Sequence, residues 1–520
     1  MVIFPHGLSY HGPVPPIGLA YLAAVLRDAG HTVQVVDSAG EGIERHVDLP
    51  SPIGVLRRIG LASAAVVERL DPATQVVGIT HMFLHEWPVV KELAEAVRAR
   101  FPDVLLLVGG ENATAFWPWM FEQTTAIDAC VLGEGELTAL EVADRVARGE
   151  PIGGLPGLVR RDREPAAEEP TLPIRTRRLG EIPWPAWDLF PIEAYWRAGD
   201  AYGVERGRSL PMLATRGCPY KCSFCSSPQM WTTRYVVRDP EDVADEIASY
   251  VERYGLENVN FSDLTAITKR GWTLRFCDAL DQRVPRPISW QLPVGTRAEA
   301  LDAEVLQRLW DTGCRNITYA PESGSQRMLE IYDKRIDLEH VLGSLASAHE
   351  IGLVTRVNII IGHPEERWSD VWQTFKLLLR VARAGGNDAA VMMYGYYPGS
   401  ADFTKAVQAG EVVVDDAFVY ESLSRVSSHH VSYNPRISAR QMRALQMGML
   451  LTFYGLGLVL HPSRLVGYVK AQLTGRESSA VDQLLRTHRR LFRGDAVRRL
   501  AARRTPTPPA PVVDPAERAA

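Results

Sequence analysis

Three cysteines, Cys218, Cys222 and Cys225, lie within eight residues, directly after a short apolar run that predicts a β-strand. Thiolates are soft ligands, and a loop of three suits a cubic iron–sulfur cluster, which takes up to four of them. Three cysteines leave one iron open to bind another molecule, which favours a reactive cluster over an electron store. A zinc loop is an alternative, but structural zinc needs a further Cys or Cys/His pair, and none follows. Three unrelated thiols are the other alternative.

The spacing of these cysteines, three residues and then two between them, resembles the signature of radical S-adenosylmethionine (SAM) enzymes. The resemblance implies that the open iron binds the amino and carboxylate groups of SAM. It also implies that an electron from the cluster splits SAM to a 5'-deoxyadenosyl radical. Phe224, the aromatic residue just before the third cysteine, is expected to lie by the adenine of SAM.

The bulk composition indicates a soluble protein of several domains. The chain has 520 residues, which predicts two or three domains, and its hydrophobic and charged contents of 46% and 23% are ordinary for globular proteins. Six cysteines with no visible signal peptide predict a reducing compartment, the cytoplasm, rather than a disulfide framework. No uncharged apolar stretch reaches the length of a bilayer span, so no transmembrane segment is expected. A net charge of -5 gives no general attraction to nucleic acid.

Residues 1–150 alternate strand and helix signals, and the strands are apolar across both faces. This pattern predicts a parallel, doubly wound, Rossmann-like α/β domain. Strands are predicted at residues 2–4, 31–36, 75–80, 104–108 and 127–132.

The carboxyl ends of the last three of these strands are the candidate ligand contacts. A doubly wound sheet binds its ligand beyond these ends, where glycines let the backbone approach the ligand. Tight turns after strands also need glycine, so both interpretations are open for the glycines. The candidates are Thr80, His81, Met82, Gly109, Gly110, Glu111, Gly133, Glu134 and Gly135.

Together with the segment at residues 15–19, these strand ends resemble the cobalamin-binding domain found ahead of many radical SAM domains. The resemblance implies that three loops embrace the corrin and its nucleotide tail. The sequence lacks the Asp-x-His-x-x-Gly motif by which other cobalamin proteins place a histidine on cobalt. The loop after the third strand is therefore expected to cover the lower face of cobalt, with His81 and Met82 as candidates. The alternative for His81 is a packed or solvent-facing histidine.

Residues 151–210 are rich in proline and aromatic residues, which predicts an extended linker packed against a domain. From 211 to 398, strand and helix signals alternate six times. This predicts a partial (β/α)6 barrel, open on one side, with its chemistry at the carboxyl ends of its strands, and the resemblance makes it the radical SAM domain. The strands are predicted at residues 212–215, 258–262, 288–292, 316–319, 355–361 and 389–394.

The ends of the later barrel strands match further SAM contacts of the family. Glu322, Ser323 and Gly324 resemble the Glu-Ser-Gly-Ser segment that holds the amino acid or ribose part of SAM. Gly362 lies in a segment that resembles the one packed near the adenine, and Arg297 is a candidate for gripping a carboxylate with two hydrogen bonds. The alternatives are helix capping for Glu322 and Ser323 and a surface ion pair for Arg297.

Two tyrosines and one aspartate complete the candidate site. Tyr394 and Tyr396 follow the sixth strand, and alternation places both on one face. If that face points into the barrel they line the substrate space as catalytic candidates; an ordinary aromatic core is the alternative. Asp263 ends the second strand, where the family more often shows two acidic residues, so its role stays open.

After residue 399 the pattern predicts a mainly helical region to 504 and a disordered, proline-rich tail at 505–520. The segment around His461 resembles the part of related proteins that covers the barrel mouth. Residues 486–504 contain eight arginines. Their spacing predicts a solvated basic helical face, with an anionic membrane surface or substrate as the alternative.

The resemblance implies a cobalamin-dependent radical SAM methyltransferase. In such an enzyme the radical removes a hydrogen atom from a small-molecule, natural-product substrate, and methylcobalamin delivers a methyl group to that unactivated carbon. An external one-electron reductant such as flavodoxin or ferredoxin is the implied partner. Ring formation or rearrangement without methyl transfer is the alternative. A methylthiotransferase is disfavoured because it needs three further cysteines in its N-terminal domain, where this chain has only Cys130.

Overall fold

The computed structural model describes residues 2–3, 12–162, 175–176, 178–199, 203–424, 431–474, 479 and 481–482. Three expectations fall outside this part of the chain: the end of the first strand at Phe4, the arginine-rich segment 486–504 and the tail 505–520. The described residues form an N-terminal α/β domain, a six-stranded parallel barrel and a group of C-terminal helices, which confirms the predicted fold class.

The N-terminal domain is built on a sheet in which three neighbouring strands are parallel and a fourth is antiparallel. Both faces of its middle strand are buried, with Leu106 and Val108 on one side and Leu107 on the other, as a doubly wound fold requires. The elements in chain order are β1 (Val2–Ile3), α1 (Ile17–Asp28), α2 (Ser38–Glu41), β2 (His46–Ser51), β3 (Gly54–Ile59), α3 (Ser63–Val67), β4 (Val76–Thr80), α4 (Trp87–Arg100), β5 (Leu105–Gly109), α5 (Glu111–Gln123), β6 (Ala129–Val131), α6 (Glu136–Arg148) and β7 (Leu158–Arg160).

Two predicted strands do not join this sheet. β1 pairs antiparallel with β3 in a separate three-stranded sheet, and residues 31–36 form no strand. Val33 and Val35 instead pack against alanines of α1 and against Ala186 of the linker. An extended, β-branched run can bury its side chains in this way without a hydrogen-bonded neighbour, and periodicity alone does not distinguish the two arrangements.

The linker is fastened to both domains. β7 lies within the predicted linker but pairs with β6, so the N-terminal sheet continues past residue 150. Tyr195 donates a hydrogen bond to Asp37 at 2.8 Å, and the indole of Trp184 donates to Asp242 at 3.0 Å. The remaining linker elements are two short turns and one helix, namely Leu179–Glu181, Trp187–Leu189 and α7 (Ile192–Ala198).

The barrel has six parallel strands in the order β8-β11-β12-β13-β14-β15, each joined to the next through helices. Five of the six predicted strands are confirmed, whereas the first, predicted at residues 212–215, lies earlier, at Ser209–Met212, and Thr215–Arg216 belongs to a separate two-stranded sheet. The elements are β8 (Ser209–Met212), β9 (Thr215–Arg216), α8 (Ser227–Trp231), β10 (Val236–Val237), α9 (Pro240–Tyr254), β11 (Asn258–Phe261), α10 (Arg270–Arg283), β12 (Ser289–Thr296), α11 (Ala303–Asp311), β13 (Cys314–Glu322), α12 (Gln326–Ile331), α13 (Leu338–Ile351), β14 (Val354–Ile361), α14 (Trp368–Arg383) and β15 (Asp388–Met393).

The C-terminal helices cover the open edge of the barrel. Gln446 donates to the carbonyl of Val391 in the edge strand β15 at 2.6 Å, and Met442, Met449 and Phe453 are buried in the barrel core. An edge strand covered in this way no longer offers free backbone groups to another chain. The helices are α15 (Ala401–Gln408), α16 (Asp416–Ser424), α17 (Ala439–Leu460) and α18 (Ser463–Thr474).

α17 departs from the expectation that no segment is long enough to span a bilayer. Among the described residues it is the one helix whose length and apolar composition would allow a crossing. The length of the apolar segment was underestimated from the sequence because only an uncharged run was counted. The helix starts earlier and includes Arg440 and Arg443. The face of α17 that carries Gln446 is tied to the barrel.

Two glutamates of the N-terminal domain, Glu134 and Glu136, are buried where that domain meets the barrel. Arg216 of β9 lies 2.6 Å from Glu136 and 3.5 Å from Glu134, and Arg175 of the linker lies 2.5 Å from Glu134. Burial by itself lowers the pKa of Arg216, but the nearby negative charges outweigh burial and raise it. Two positive and two negative side chains thus balance one another at the domain boundary.

Replacing Arg216 with Ala is expected to lower the free energy of unfolding by about 3–5 kcal/mol, because it leaves the buried Glu136 carboxylate without its positive partner. The matched control is Arg283→Ala, which breaks an exposed pair with Asp245 and is expected to cost about 0–1 kcal/mol. Denaturant unfolding followed by circular dichroism measures both. Equal losses in the two variants would show that the buried network does not stabilise the domain boundary.

Candidate functional site

The cysteine loop lies between β9 and α8 and is held by one residue of the barrel and one of the C-terminal helices. The amide of Ser223 donates to the carbonyl of Tyr332 at 3.0 Å, at the end of α12. The carbonyl of Ser223 accepts from the amide of Asp402 at 3.0 Å, and its hydroxyl donates to the Asp402 carboxylate at 3.0 Å. Elements more than a hundred residues downstream therefore fix the middle of the loop.

The three thiols of the loop are partly buried and unpaired. Burial raises the pKa of Cys218 and Cys222, and it raises the pKa of Cys225 to about 12. Burial thus favours the neutral thiols, whereas the thiolate is the form that binds a metal. In the described part of the chain, no three His, Cys, Asp or Glu side chains are grouped to hold a single metal ion.

Glu322 ends β13 beside this loop in a strained conformation, with φ at 65°. One carboxylate oxygen accepts from the Lys334 ammonium at 2.8 Å, and the other is buried without a partner. Charges on Lys334 and Glu322 both act on the pKa of Cys222, so the pair lies close to the loop. The hydroxyl of Tyr332 is also buried without a partner. Unpaired buried polar atoms at a strand end fit a ligand with hydrogen-bonding groups, such as the amino acid part of SAM.

Ser323 and Gly324 hold the turn after Glu322 against α14. Ser323 is fully buried and shares a hydrogen bond with the Thr374 hydroxyl at 3.1 Å, and the Gly324 amide donates to the same hydroxyl at 3.0 Å. A Cβ on Gly324 would collide with the backbone of Gln373. The side chain of Ser323 therefore binds Thr374, which leaves the backbone of Ser323 and Gly324 for any contact with a ligand.

Arg297 lies against the cysteine loop with its guanidinium 3.8 Å from the ring centre of Tyr220. Two of its nitrogens bind Glu299, the shorter contact being 2.6 Å, and one also donates to the carbonyl of Arg335. The expectation that Arg297 grips a carboxylate with two hydrogen bonds needs correction, because Glu299 already occupies that edge. Arg297 instead supports the loop through Tyr220.

Gly362 follows β14 with φ at 95°, and Met442 of α17 packs directly on it. Its amide donates to Glu366, a buried carboxyl whose pKa is raised to about 8 by burial. Asn434 donates to the carbonyls of His363 and Glu366 at 2.6 and 2.8 Å. The C-terminal region therefore covers this strand end as well as the barrel edge.

A chain of aromatic rings connects the cysteine loop to the end of β15. Successive ring centres from Phe224 through Tyr332, His363 and Tyr394 to Tyr396 lie 5.1, 5.3, 4.7 and 5.4 Å apart. Both tyrosines that follow β15 are buried and belong to an apolar core shared with the N-terminal domain. Tyr394 and Tyr396 do lie together, as predicted, but within a packed wall rather than on an open surface.

His81 and Met82, at the end of β4, have different environments. His81 is fully buried, its ring lies 3.2 Å from the Asn112 amide nitrogen, and burial lowers its pKa to about 3. This corrects the expectation for His81, because the ring is packed against Trp87 and does not point out of the strand end. Met82 and Phe83 are 41% and 58% exposed, so they are the side chains free to cover a ligand.

The ends of β5 and β6 lie close to the loop that follows β4. Gly110 has φ at 115°, and a Cβ there would lie 2.8 Å from the His81 carbonyl oxygen, so a side chain would not fit. Gly133, with φ at 65°, donates to the hydroxyl of Thr114 at 2.9 Å. Thr80, Gly109 and Gly135 are half-buried at the same strand ends. Closely packed backbone with exposed apolar side chains beside it fits a large, flat group such as a corrin.

Two glutamates of these loops contact the rest of the protein. The Glu134 side chain is taken up by the arginine network, so its expected contact with cobalamin needs correction. Glu111, which follows Gly110, accepts a hydrogen bond from the Ser226 hydroxyl at 2.5 Å. Ser226 is the residue directly after Cys225, so the end of β5 lies against the cysteine loop.

Asp263, at the end of β11, binds the segment that leads into the cysteine loop. Its carboxylate accepts from the Ala214 amide at 3.1 Å, from the Thr215 hydroxyl at 2.6 Å and from the Thr215 amide at 2.5 Å. Burial raises the pKa of Asp263 to about 6 although these hydrogen bonds lower it. The sequence did not reveal this role, nor those of Ser223, Lys334 and Asp402, because each depends on a partner far away in the chain.

Asp263→Ala is expected to reduce the iron bound per chain after anaerobic reconstitution, because it leaves buried backbone donors unpaired and loosens the loop, at a cost of about 1–3 kcal/mol. Iron content and the absorbance of the reconstituted protein measure the effect. The control is Asp302→Ala, which removes the cap of α11 away from the loop at a similar cost of about 0.5–2 kcal/mol. If both variants bind iron as well as the wild type, Asp263 does not position the loop.

Two family models match the chain, in the order in which the domains occur. The B12 binding domain matches residues 6–143, and the radical SAM superfamily matches residues 212–378. An uncharacterized methyltransferase of Pyrococcus horikoshii is 27% identical over 362 residues, which cover 70% of this chain and 72% of the relative. The cytidylyl-2-hydroxyethylphosphonate methyltransferase of Streptomyces wedmorensis is 27% identical over 373 residues, covering 67% of this chain and 69% of the relative.

A solved structure with a similar fold is that of the radical SAM methyltransferase TsrM from Kitasatospora setae, determined with cobalamin and a [4Fe-4S] cluster bound. It aligns with a TM-score of 0.60 at 19% identity, over 79% of this chain and 78% of that chain. At this identity the likeness concerns the fold, and the fold agrees with the domain order found here.

Proposed function

The chain belongs to the cobalamin-dependent radical SAM enzymes, and we propose that it methylates an unactivated carbon of a small molecule. Its cofactors are a [4Fe-4S] cluster, SAM and cobalamin. When bound, the cluster and SAM supply the radical that removes a hydrogen atom, and cobalamin supplies the methyl group. The protein supplies position, orientation and the exclusion of water.

The observation that carries the proposal is the hydrogen bond from Ser226 to Glu111 at 2.5 Å. It joins the residue after the third cysteine of the cluster loop to the strand end that, by the resemblance, contacts cobalamin. The carboxyl ends of both sheets therefore meet at one place. A methyl group and a substrate radical have to meet within contact distance, and two cofactor sites side by side satisfy that requirement.

We assign the cofactor contacts by the geometry of each residue. Cys218, Cys222 and Cys225 would hold the cluster, and Phe224, Glu322 and Gly362 would lie beside SAM, for which the unpaired buried oxygen of Glu322 offers a hydrogen-bond acceptor. Arg297, Ser323 and Gly324 position these groups. On the cobalamin side, the exposed Met82 side chain would contact the cofactor. The backbone of the strand ends would form the remaining contacts, at Thr80, Gly109, Gly110, Glu111, Gly133 and Gly135.

Tyr394 and Tyr396 form the wall of the substrate space on the side of the N-terminal domain. The Tyr394 hydroxyl donates to Asp402 at 3.0 Å, and burial raises the pKa of Tyr396 to about 12, so both phenols stay protonated at neutral pH. A wall of buried rings excludes water, which would otherwise consume a reactive radical. Their role is to shape and dry the site rather than to transfer protons.

The proposed substrate is a natural-product intermediate, and the methyltransferase of Streptomyces wedmorensis, whose name specifies a small phosphonate, supports that class. An external one-electron donor such as flavodoxin or ferredoxin reduces the cluster. All six cysteines are free thiols, which supports a reducing compartment, the cytoplasm.

Product mass tests the proposed reaction. With SAM that carries a deuterated methyl group, a chemical reductant and the substrate, we expect the product to gain one labelled methyl group, measured by mass spectrometry. The reaction also predicts S-adenosylhomocysteine and 5'-deoxyadenosine together, since one SAM gives the methyl group and another gives the radical. A product of unchanged mass, or one that has only lost hydrogen, would favour ring formation and contradict methyl transfer.

Cys222→Ala is expected to abolish 5'-deoxyadenosine formation while cobalamin binding stays intact, because the cluster loses a ligand and the N-terminal domain is unchanged. Chromatography of the nucleoside product and the absorbance of bound cobalamin measure the two properties separately. Cys277→Ala is the matched control, since Cys277 is buried in α10 and should leave SAM cleavage unaffected. SAM cleavage retained in Cys222→Ala would refute the assignment of the cluster.

A further inference from the structure

α18 exposes a stripe of aliphatic side chains to solvent. Leu465, Val466, Val469 and Leu473 are 58%, 70%, 53% and 82% exposed. Their spacing places them on one face of the helix. The opposite face is the one fastened to the protein, since Arg464 donates to the carbonyls of Gly385 and Gly386 at 2.7 and 2.9 Å. An amphipathic helix that points its apolar face outward needs a partner for that face.

The end of α17 continues this exposed surface. Leu458, Val459 and Leu460 are exposed, with Val459 at 78%, and the chain passes from them into α18 within five residues. We call these three residues and the α18 stripe the C-terminal apolar surface. Contiguous exposed apolar side chains of this extent mark an interaction site in a soluble protein.

The segment that carries the C-terminal apolar surface is strongly basic in sequence, although Glu477 and Asp482 follow α18 and the charges of Asp388 and Asp482 act on the pKa of Tyr468 within it. From residue 422 to residue 476 the sequence contains no Asp or Glu, but six Arg and one Lys. The eight arginines of residues 486–504 follow in the same chain, with Asp495 as the only acidic residue among them. An exposed aliphatic helix within a basic segment of the sequence is suited to the surface of an anionic lipid bilayer.

We propose that the C-terminal apolar surface docks on an anionic lipid bilayer, with α18 lying in the plane of the interface. A second copy of the chain is a poorer occupant, because a symmetric contact would bring two basic surfaces together. The chain's own segment 486–504 carries the same positive charge and would be repelled in the same way. The surface is aliphatic, whereas protein partners are usually anchored by aromatic side chains.

The docking is peripheral, because α17 does not have two free faces. Its inner face contributes Gln446 to the carbonyl of Val391 at 2.6 Å and buries Met442, Met449 and Phe453 in the barrel. Moving this face into lipid would uncover the edge strand β15 and break these contacts. Only the outer side of the C-terminal helices is available to a membrane.

Co-sedimentation of the full-length holoenzyme with vesicles tests the proposal. Vesicles of phosphatidylcholine with phosphatidylglycerol are expected to bind the enzyme, and vesicles of phosphatidylcholine alone to bind it at least about tenfold more weakly. The double variant Val466→Ser, Val469→Ser should lose about tenfold or more in partitioning because it removes two buried aliphatic groups from the contact. Val413→Ser, at an equally exposed valine elsewhere, is the matched control and should bind as the wild type does.

The formation of 5'-deoxyadenosine should be the same in the wild type and in both variants, which separates docking from catalysis. Wild-type enzyme that stays in the supernatant with anionic vesicles would overturn the proposal. Equal binding to neutral and anionic vesicles, or by the double variant and the wild type, would overturn it too. A wild-type dimer in light scattering that the double variant converts to a monomer would assign the surface to a second copy instead.

Discussion

The domain arrangement depends on buried charges that neither domain neutralises by itself. Glu134 and Glu136 belong to the N-terminal domain, and their partners Arg175 and Arg216 come from the linker and from the first part of the barrel. A buried carboxylate is tolerated only beside its partner, so the domains fit together in one alignment. Because Arg216 lies two residues before Cys218, that alignment also sets where the cysteine loop stands relative to the ends of β4, β5 and β6.

Residues from the N-terminal domain, the barrel and the C-terminal helices all bind the cysteine loop, so its position depends on more than its local sequence. Tyr332 and Asp402 bind the middle of the loop. Asp263 binds the segment before its first cysteine, and Glu111 of the N-terminal domain binds the residue after its third cysteine. The C-terminal region takes part because Asn434 and Met442 fix the neighbouring end of β14. The site is therefore complete only when the N-terminal domain, barrel and C-terminal region are folded together.

The sequence predicted the elements well and the orientation of single side chains poorly. β11 and β14 were predicted to within one residue at each end, because each is a short apolar run between helical stretches. His81 was placed at the right strand end, but the direction of its ring is set by Asn112 and Trp87, which a local pattern does not show. Glu134 was predicted to contact a ligand because its partner in the structure, Arg175, lies 41 residues away in the chain, where a local pattern does not reveal it.

Several buried polar atoms near the cysteine loop have no hydrogen-bond partner, and their position indicates where chemistry takes place. The carboxylates at the domain boundary have partners, whereas Glu322, Tyr332 and Glu366 each keep one buried oxygen without any. Glu322 ends β13, Tyr332 follows α12 and Glu366 follows β14, and the charges of Glu322 and Glu366 both act on the pKa of Tyr332. An unpaired buried oxygen costs stability, and a fold retains several in one place where a ligand completes them. These atoms lie beside the proposed SAM site, where a bound ligand would supply the missing hydrogen-bond partners.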